Sequence, residues 1–142
     1  GRERASMTDR VFLDTNVLVS AFTTRGLSAD AVRLILTEHV LLTGEVNLAE
    51  LERVLHKRMG VPSAQVGLVL QLLRDQTIIP RPRRPPDITV RDPDDAWVLA
   101  SALAGGAEVL VTGAQDLLVL HGEVSLPVLS PRGFWELVRG SG

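Results

Sequence analysis

Short apolar runs alternate along the chain with longer segments whose apolar residues recur at helical spacing. Val11–Leu13 is a run of the first kind, and Ala31, Val32 and Ile35 fall on one face of a helix. This alternation is typical of βαβ units, so it predicts an α/β fold with a mostly parallel sheet of about five strands. The predicted strands are Val11–Leu13, Val40–Thr43, Thr77–Ile79, Glu108–Thr112 and Leu126–Leu129.

The helices are predicted between these strands. They are Asn16–Phe22, Ser28–Thr37, Leu48–Arg58, a segment that begins at Ser63, Asp94–Ala104 and Pro131–Val138. Ser28 and Asn47 are predicted to be N-caps, because short polar side chains satisfy the free N–H groups at helix starts. Residues 80–86 contain four prolines, which fit neither a helix nor a sheet, and are predicted to form an extended surface loop.

Composition narrows the class of protein. The 142 residues suit one domain, expected to span residues 7–142; the polar residues 1–6, which precede Met7, are interpreted as a cloning remnant. The lack of cysteine excludes disulfides and thiolate metal sites, and is typical of the reducing cytoplasm. The longest apolar runs fall far short of the roughly 20 residues that span a bilayer. The net charge is −2, so any nucleic-acid site must be local.

Carboxylates follow the strands at positions that should share one edge of the sheet. Asp14 comes directly after the first strand, Asp116 follows the fourth, and Asp95 opens the helix that leads into the fourth. Glu50 lies near the start of the helix after the second strand. Ligands of parallel α/β sheets bind at this carboxyl edge. Grouped carboxylates repel one another unless a cation joins them, and Mg²⁺ or Mn²⁺ prefers such oxygen ligands. The sequence therefore predicts a divalent-metal site.

Each acid also has an ordinary structural interpretation. Asp14 could cap the following helix, and Asp116 could be a turn or cap residue. The segment Asp92-Pro93-Asp94-Asp95 has the usual chemistry of a helix start, and taken alone it favours capping. Glu50 could pair with a basic residue on its own helix.

The densest basic patch lies in the proline-rich loop. Arg81, Arg83 and Arg84 are candidates for contact with RNA phosphates. The alternative is that they only keep the loop solvated.

Four segments, taken in order, resemble the motifs of PIN-domain proteins, and especially the VapC-like toxin components of bacterial toxin–antitoxin systems. They are residues 11–20, 48–55, 91–103 and 109–118. Asp14, Glu50 and Asp95 match the family's acids, while Asn16 and Thr112 match its supporting polar positions. Asp116 matches the second acid of the fourth motif.

The resemblance implies a three-layer α/β/α sandwich and an endoribonuclease that depends on Mg²⁺ or Mn²⁺. It also implies frequent dimerisation and a small antitoxin partner. Trp97, Phe134 and Trp135 are candidates for an apolar patch that serves self-association or antitoxin binding.

The chain departs from the family pattern at Ala114, where an Asp usually follows Thr-Gly. The leading hypothesis is a ribonuclease in which Asp14, Glu50, Asp95 and Asp116 hold the metal. The departure motivates an alternative, a PIN-like module that binds RNA or a protein without cutting. A third hypothesis, phosphotransfer through Asp14, fits less well because that chemistry needs a second acid where Asn16 stands.

Overall fold

A parallel sheet runs through the centre of the computed structural model, which describes residues 9–140. Its strands are β1 (Arg10–Leu13), β2 (Val40–Gly44), β3 (Thr77–Ile79), β4 (Val109–Val111) and β5 (Val128–Leu129). They are ordered β3-β2-β1-β4-β5, and every neighbouring pair is parallel. The predicted five-stranded parallel sheet is confirmed. Residues 1–6, interpreted above as a cloning remnant, lie outside the described range.

Helices connect the strands. They are α1 (Thr15–Thr23), α2 (Leu27–Glu38), α3 (Glu45–Arg53), α4 (Ser63–Arg74), α5 (Pro93–Ala104), α6 (Gln115–Leu118) and α7 (Pro131–Gly140). The end of α3 continues without a break into a π turn at Val54–Arg58. Neither the short α6 nor the π turn was predicted from the sequence.

Side chains of β1 alternate between two cores, one on each face of the sheet. Val11 and Leu13 contribute to the larger core, which α1, α2, α3, α4 and α7 cover. Phe12 contributes to the smaller core, which α5 and α6 cover. The strands are apolar on both faces because both faces are buried, as in other parallel sheets. This arrangement confirms the predicted three-layer α/β/α sandwich.

Two predicted caps are wrong. Helix α2 begins at Leu27 and is capped by Gly26, so Ser28 lies inside it. Helix α3 begins directly after Gly44, so Asn47 falls in its first turn rather than before it. In both cases a glycine ends the preceding segment, and the helix starts earlier than the polar residue suggested.

The predicted apolar patch is also wrong at one of its residues. Phe134 is 1% exposed and belongs to the larger core, with its ring edge-on to His39. Trp97 and Trp135 are partly buried, and each lies beneath an arginine side chain, that of Arg81 or Arg139. These residues therefore do not form an open aromatic surface.

Gly44 stands where β2 meets α3, and it allows a close approach of α5. A Cβ atom at this position would lie 2.9 Å from Asn47 Oδ1 and 3.1 Å from Ser101 Oγ. Those distances are too short for a carbon in ordinary contact, so a side chain here would displace its neighbours. The Ser101 hydroxyl is buried without a hydrogen-bond partner among the described residues.

None of the helices between residues 9 and 140 is long and apolar enough to cross a membrane.

Candidate metal centre

Asp14 lies directly beyond β1, and its side chain is only 3% exposed. Oδ1 accepts hydrogen bonds from the Thr15 backbone N–H at 2.7 Å and from Asn47 Nδ2 at 3.2 Å. Oδ2 accepts from Thr112 Oγ1 at 2.7 Å and from Asn16 Nδ2 at 3.2 Å. A carboxylate offers about four lone-pair sites, so these donors satisfy the group fully and fix its orientation.

Burial raises the pKa of Asp14 above its ordinary value, because a charge is poorly solvated inside the protein. The hydrogen bonds from Thr112 and Thr15 act in the opposite direction, since they stabilise the ionised form. The negative charge of Glu50 adds to the effect of burial. The strong donors and the raised pKa are thus two results of placing an acid at a buried strand end.

Asn47 is a site residue that the sequence analysis interpreted as a helix cap. Its side chain is fully buried. The amide nitrogen donates to Asp14 Oδ1 and, at 2.9 Å, to Thr15 Oγ1, while the amide oxygen accepts the Gly44 N–H at 3.2 Å. Asn47 therefore links the start of α3 to the carboxylate at the end of β1. Its position one helical turn before Glu50 is the signal that could have identified it.

Asn16 and Thr112 join the ends of two neighbouring strands around the same carboxylate. The Thr112 hydroxyl accepts the Ala114 N–H at 2.9 Å, and its proton points to Asp14. The Asn16 side chain accepts the Gly113 N–H at 2.8 Å through its oxygen and donates to Asp14 through its nitrogen. Both residues, selected from the sequence as supporting polar positions, contact Asp14 directly.

Asp95 lies in the first turn of α5 and is surrounded by negative charge. Burial is the largest cause that raises its pKa, and together with the charges of Asp14, Asp92, Asp116 and Glu50 it brings the pKa from 3.8 to about 6. No side-chain hydrogen bond or ion pair to Asp95 occurs within the part of the chain that the structure describes. A carboxylate in this environment favours either a proton or a cation.

Carboxylate oxygens of Asp92, Asp95 and Asp116 lie within 4.8 Å of one another. Asp92 is also the N-cap of α5, since it accepts the Asp94 N–H at 2.9 Å. The capping role favoured for this segment is therefore present, and the same side chain belongs to the acidic cluster. Asp116 enters the cluster from the first turn of α6. The spacing suits three oxygen ligands of one hard cation.

A cleft of about 500 Å³ opens beside this cluster, between α1 and α3. Asp14, Glu50 and Asp95 line one end of it, while Asp116 does not. Glu50 is exposed, and its carboxylate lies 3.6 Å from Arg53. Asp95 thus belongs to both acidic groups, the three-aspartate cluster and the three acids of the cleft. The structure brings the four predicted metal ligands to one edge of the sheet, in two groups that share Asp95.

The three arginines of the proline-rich loop are not equivalent. The Arg81 guanidinium lies 4.4 Å from the centre of the Trp97 ring, and its backbone N–H donates to Glu45 Oε1 at 3.0 Å. The first contact anchors the loop to α5, and the second anchors it to the start of α3. Arg83 and Arg84 are exposed, and no described residue pairs with their side chains.

A family model described as PIN domain matches residues 10–116, which include every carboxylate of the candidate site. The chain belongs to the PIN-domain family. The resemblance noted in the sequence is therefore confirmed for most of the chain. No curated protein matches the sequence.

Solved structures with the same fold include three toxin–antitoxin proteins. VapBC2 from Rickettsia felis, bound to a DNA fragment from its promoter, has a TM-score of 0.60 and 17% identity over 85% of this chain and 97% of that chain. VapBC-1 from nontypeable Haemophilus influenzae has a TM-score of 0.55 and 18% identity over 87% and 98%. The Mycobacterium tuberculosis toxin VapC20, which cleaves the sarcin–ricin loop, has a TM-score of 0.51 and 16% identity over 70% and 86%. At these identities the likeness establishes the PIN fold.

Proposed function

We propose that this PIN-domain protein is a divalent-metal-dependent endoribonuclease. The observation that carries the proposal is the environment of Asp95, where four other carboxylates act on one group that has no donor or cation among the described residues. A protein gains no stability from such an arrangement, because like charges repel. Hard divalent cations bind oxygen ligands of this kind, and a bound cation would offset the repulsion between the carboxylates.

The residues present fit Mg²⁺ or Mn²⁺. Asp14, Glu50, Asp95 and Asp116 are the proposed ligands, and Asp92 is a fifth carboxylate within reach of Asp95 and Asp116. A direct role for Asp14 requires one of its two longer hydrogen bonds, from Asn16 or Asn47, to yield. When bound, a divalent ion supplies the Lewis acidity that phosphodiester hydrolysis needs.

The side chains around the acids position them rather than react. Thr112 and the Thr15 N–H hold Asp14 by its two shortest bonds, one to each oxygen. Asn16 and Asn47 restrict rotation of the same carboxylate, because Asn16 donates to Oδ2 and Asn47 donates to Oδ1. Glu50, exposed at the cleft wall, and Asp95, in the first turn of α5, face the space where a phosphodiester would enter. Preorganised carboxylates of this kind lower the cost of assembling the reactive geometry.

The alternative function is a PIN module that binds RNA without cutting it, and Ala114 favours this alternative. Ala114 caps the short helix α6 without a side-chain hydrogen bond, next to Asp116. An Asp at this position would supply both an N-cap and a further carboxylate near the cluster. Its absence leaves Asp116 as the acid that α6 contributes.

Cleavage of a labelled single-stranded RNA with Mn²⁺, with Mg²⁺ and with a chelator tests both functions. We expect metal-dependent cutting by the native sequence and a loss of at least about a hundredfold in Asp14→Asn. Asp75→Asn is the matched control, because Asp75 is exposed where α4 ends, at the opposite edge of the sheet. Cutting that appears only in Ala114→Asp would instead support the binding module.

The proline-rich loop is the proposed RNA contact. Arg83 and Arg84 are free to meet phosphates, whereas Arg81 is proposed to hold the loop against Trp97. β3 lies two strands from β1, and strands are about 4.8 Å apart, so the loop begins roughly 10 Å from the end of β1. Exchange of both exposed arginines for alanine is expected to weaken RNA binding and its salt dependence. Arg74→Ala, at the opposite edge, should leave both unchanged.

A small antitoxin is the proposed protein partner, and solved structures of the same fold that include VapBC2 and VapBC-1 support this. We also propose a homodimer. Leu68 is 67% exposed and Leu72 is 39% exposed, one turn apart on α4, where they offer apolar surface to a partner. Sedimentation at increasing concentration tests the dimer, and a monomer throughout would exclude it.

A further inference from the structure

The cleft extends beyond the acids that line one end of it. From the acids it continues between α1 and the end of α3. Besides Asp14, Glu50 and Asp95, the lining residues are Thr15, Asn16, Val19, Ser20, Thr24, Val54, Arg58 and Met59. The far part is therefore apolar and hydroxylic, with one charged side chain. A metal ion does not need this space, whereas a polymer that crosses the acids does.

Arg58 is the one cation among the described residues that line the cleft. Its guanidinium forms no ion pair within residues 9–140. Glu50, the acid of the same helix that also lines the cleft, pairs with Arg53 instead, so neutralisation of Glu50 does not explain Arg58. The side chain is exposed. An exposed cation beside a strongly acidic site is suited to an anionic ligand.

The π turn explains how Arg58 comes to face the cleft. Glu50, Val54 and Arg58 are spaced four residues apart, and all three line it. In a regular α-helix each such step advances about 40° around the axis, so the third residue would turn away from the first. The π turn contains more residues per turn and cancels this drift; its widened bond joins the Met59 N–H to the Val54 carbonyl at 2.9 Å. Such turns are rare and occur often at functional sites.

We propose that Arg58 binds an RNA phosphate that flanks the scissile phosphate, with the adjoining nucleoside in the far part of the cleft. This rests on the proposed function, because the acidic centre defines which phosphate is cut. The planar guanidinium forms paired hydrogen bonds with phosphate oxygens. A flanking cation also offsets the repulsion between the RNA backbone and the carboxylates. The net charge of −2 gives the rest of the protein little attraction for RNA, which makes a local cation valuable.

Steady-state cleavage of a single-stranded oligoribonucleotide with Mn²⁺, over a range of salt concentrations, tests the assignment. Arg58→Ala is expected to raise KM about tenfold, as loss of a charged hydrogen bond does, with little change in kcat. The slope of log KM against log salt should fall by about 0.7, the value for one phosphate contact on a single strand. Arg58→Lys should recover part of the affinity, because it keeps the charge without the paired geometry.

Lys57→Ala is the matched control, since Lys57 is an exposed cation of the same π turn that does not line the cleft. An equal rise in KM for Lys57→Ala would overturn the proposal, because general surface charge would then explain it. A fall in kcat or a weaker Mn²⁺ dependence at unchanged KM would also overturn it and assign Arg58 to the metal centre.

If the native sequence does not cut RNA, the nuclease proposal fails, and fluorescence anisotropy with the same RNA decides the role of Arg58. Selective loss of affinity in Arg58→Ala would keep the phosphate contact. If Arg58→Ala and Lys57→Ala bind the RNA equally well, or if the protein does not bind it at all, the proposed phosphate contact is wrong.

Discussion

Asp14 and Asp95 lie at the same edge of the sheet, but their side chains have opposite surroundings. Burial raises the pKa of both side chains. Four hydrogen-bond donors surround Asp14, whereas four carboxylates and no donor from the described residues act on Asp95. The contrast teaches that the fold holds one acid in place with its own donors, whereas the other acid depends on the proposed metal ion for a partner. We therefore expect Asp14 to contribute to the stability of the fold, and Asp95 to contribute mainly to the proposed function.

The largest effect is expected in the free energy of unfolding of two alanine variants, which tests this contrast. Asp14→Ala leaves the Thr112 hydroxyl and the Asn47 amide without their buried partner, which costs about 1–3 kcal/mol for each group. Asp95→Ala removes a repelled charge, so the metal-free protein should be as stable as before or more stable. Urea unfolding with a chelator measures both. Equal destabilisation by the two variants would break the comparison.

The second test removes a donor while keeping both acids. Asn47→Ala is expected to lower the cleavage rate about 10- to 100-fold, because outer residues that orient a metal ligand contribute about this much. Unfolding should become easier by about 1–3 kcal/mol, since the buried Gly44 N–H loses its acceptor. Glu52→Ala, an exposed acid on the same helix, is the control and should change neither quantity. Full activity in Asn47→Ala would show that Asp14 needs no support from α3.

Dependence on pH gives the smallest effect and concerns Asp95. The folded protein holds the Asp95 proton more tightly than the unfolded chain, because its pKa rises from 3.8 to about 6. The metal-free protein should therefore lose stability as pH rises between these two values. Mn²⁺ affinity should rise over the same window, since metal competes with the proton. Calorimetric titration below and above pH 6 measures this, and Asp95→Asn should flatten the profile; an unchanged slope in that variant would assign the effect to another acid.

Much of the fold follows from hydrophobic spacing alone. All five strands and six of the seven helices were predicted, because the strands are buried on both faces and the helices carry one apolar face. The grouping of the acids at one edge of the sheet was also predicted, because the carboxyl ends of parallel strands lie at the same edge. Periodicity does not specify where a helix starts, and Gly26 and Gly44 moved two starts upstream of the expected caps.

The parts that the sequence did not reveal depend on contacts between distant segments. Asn47 meets Asp14 across a separation of 33 residues, and nothing local distinguishes it from a capping asparagine. The grouping of Asp92 with Asp116 requires α5 and α6 to pack on the same face. The π turn depends on how α3 ends against its neighbours, so residue spacing predicted an ordinary helix through Arg58.

Gly44 influences the distance between α3 and α5 at the edge of the sheet that carries the acids. The missing methyl group lets α5 approach the start of α3, with Ser101 on one side and Asn47 on the other. Asp95 belongs to α5 and Glu50 belongs to α3, so the same close approach sets the gap across which the two acids face each other. An uncharged contact between two helices thus limits the distance between their charged side chains.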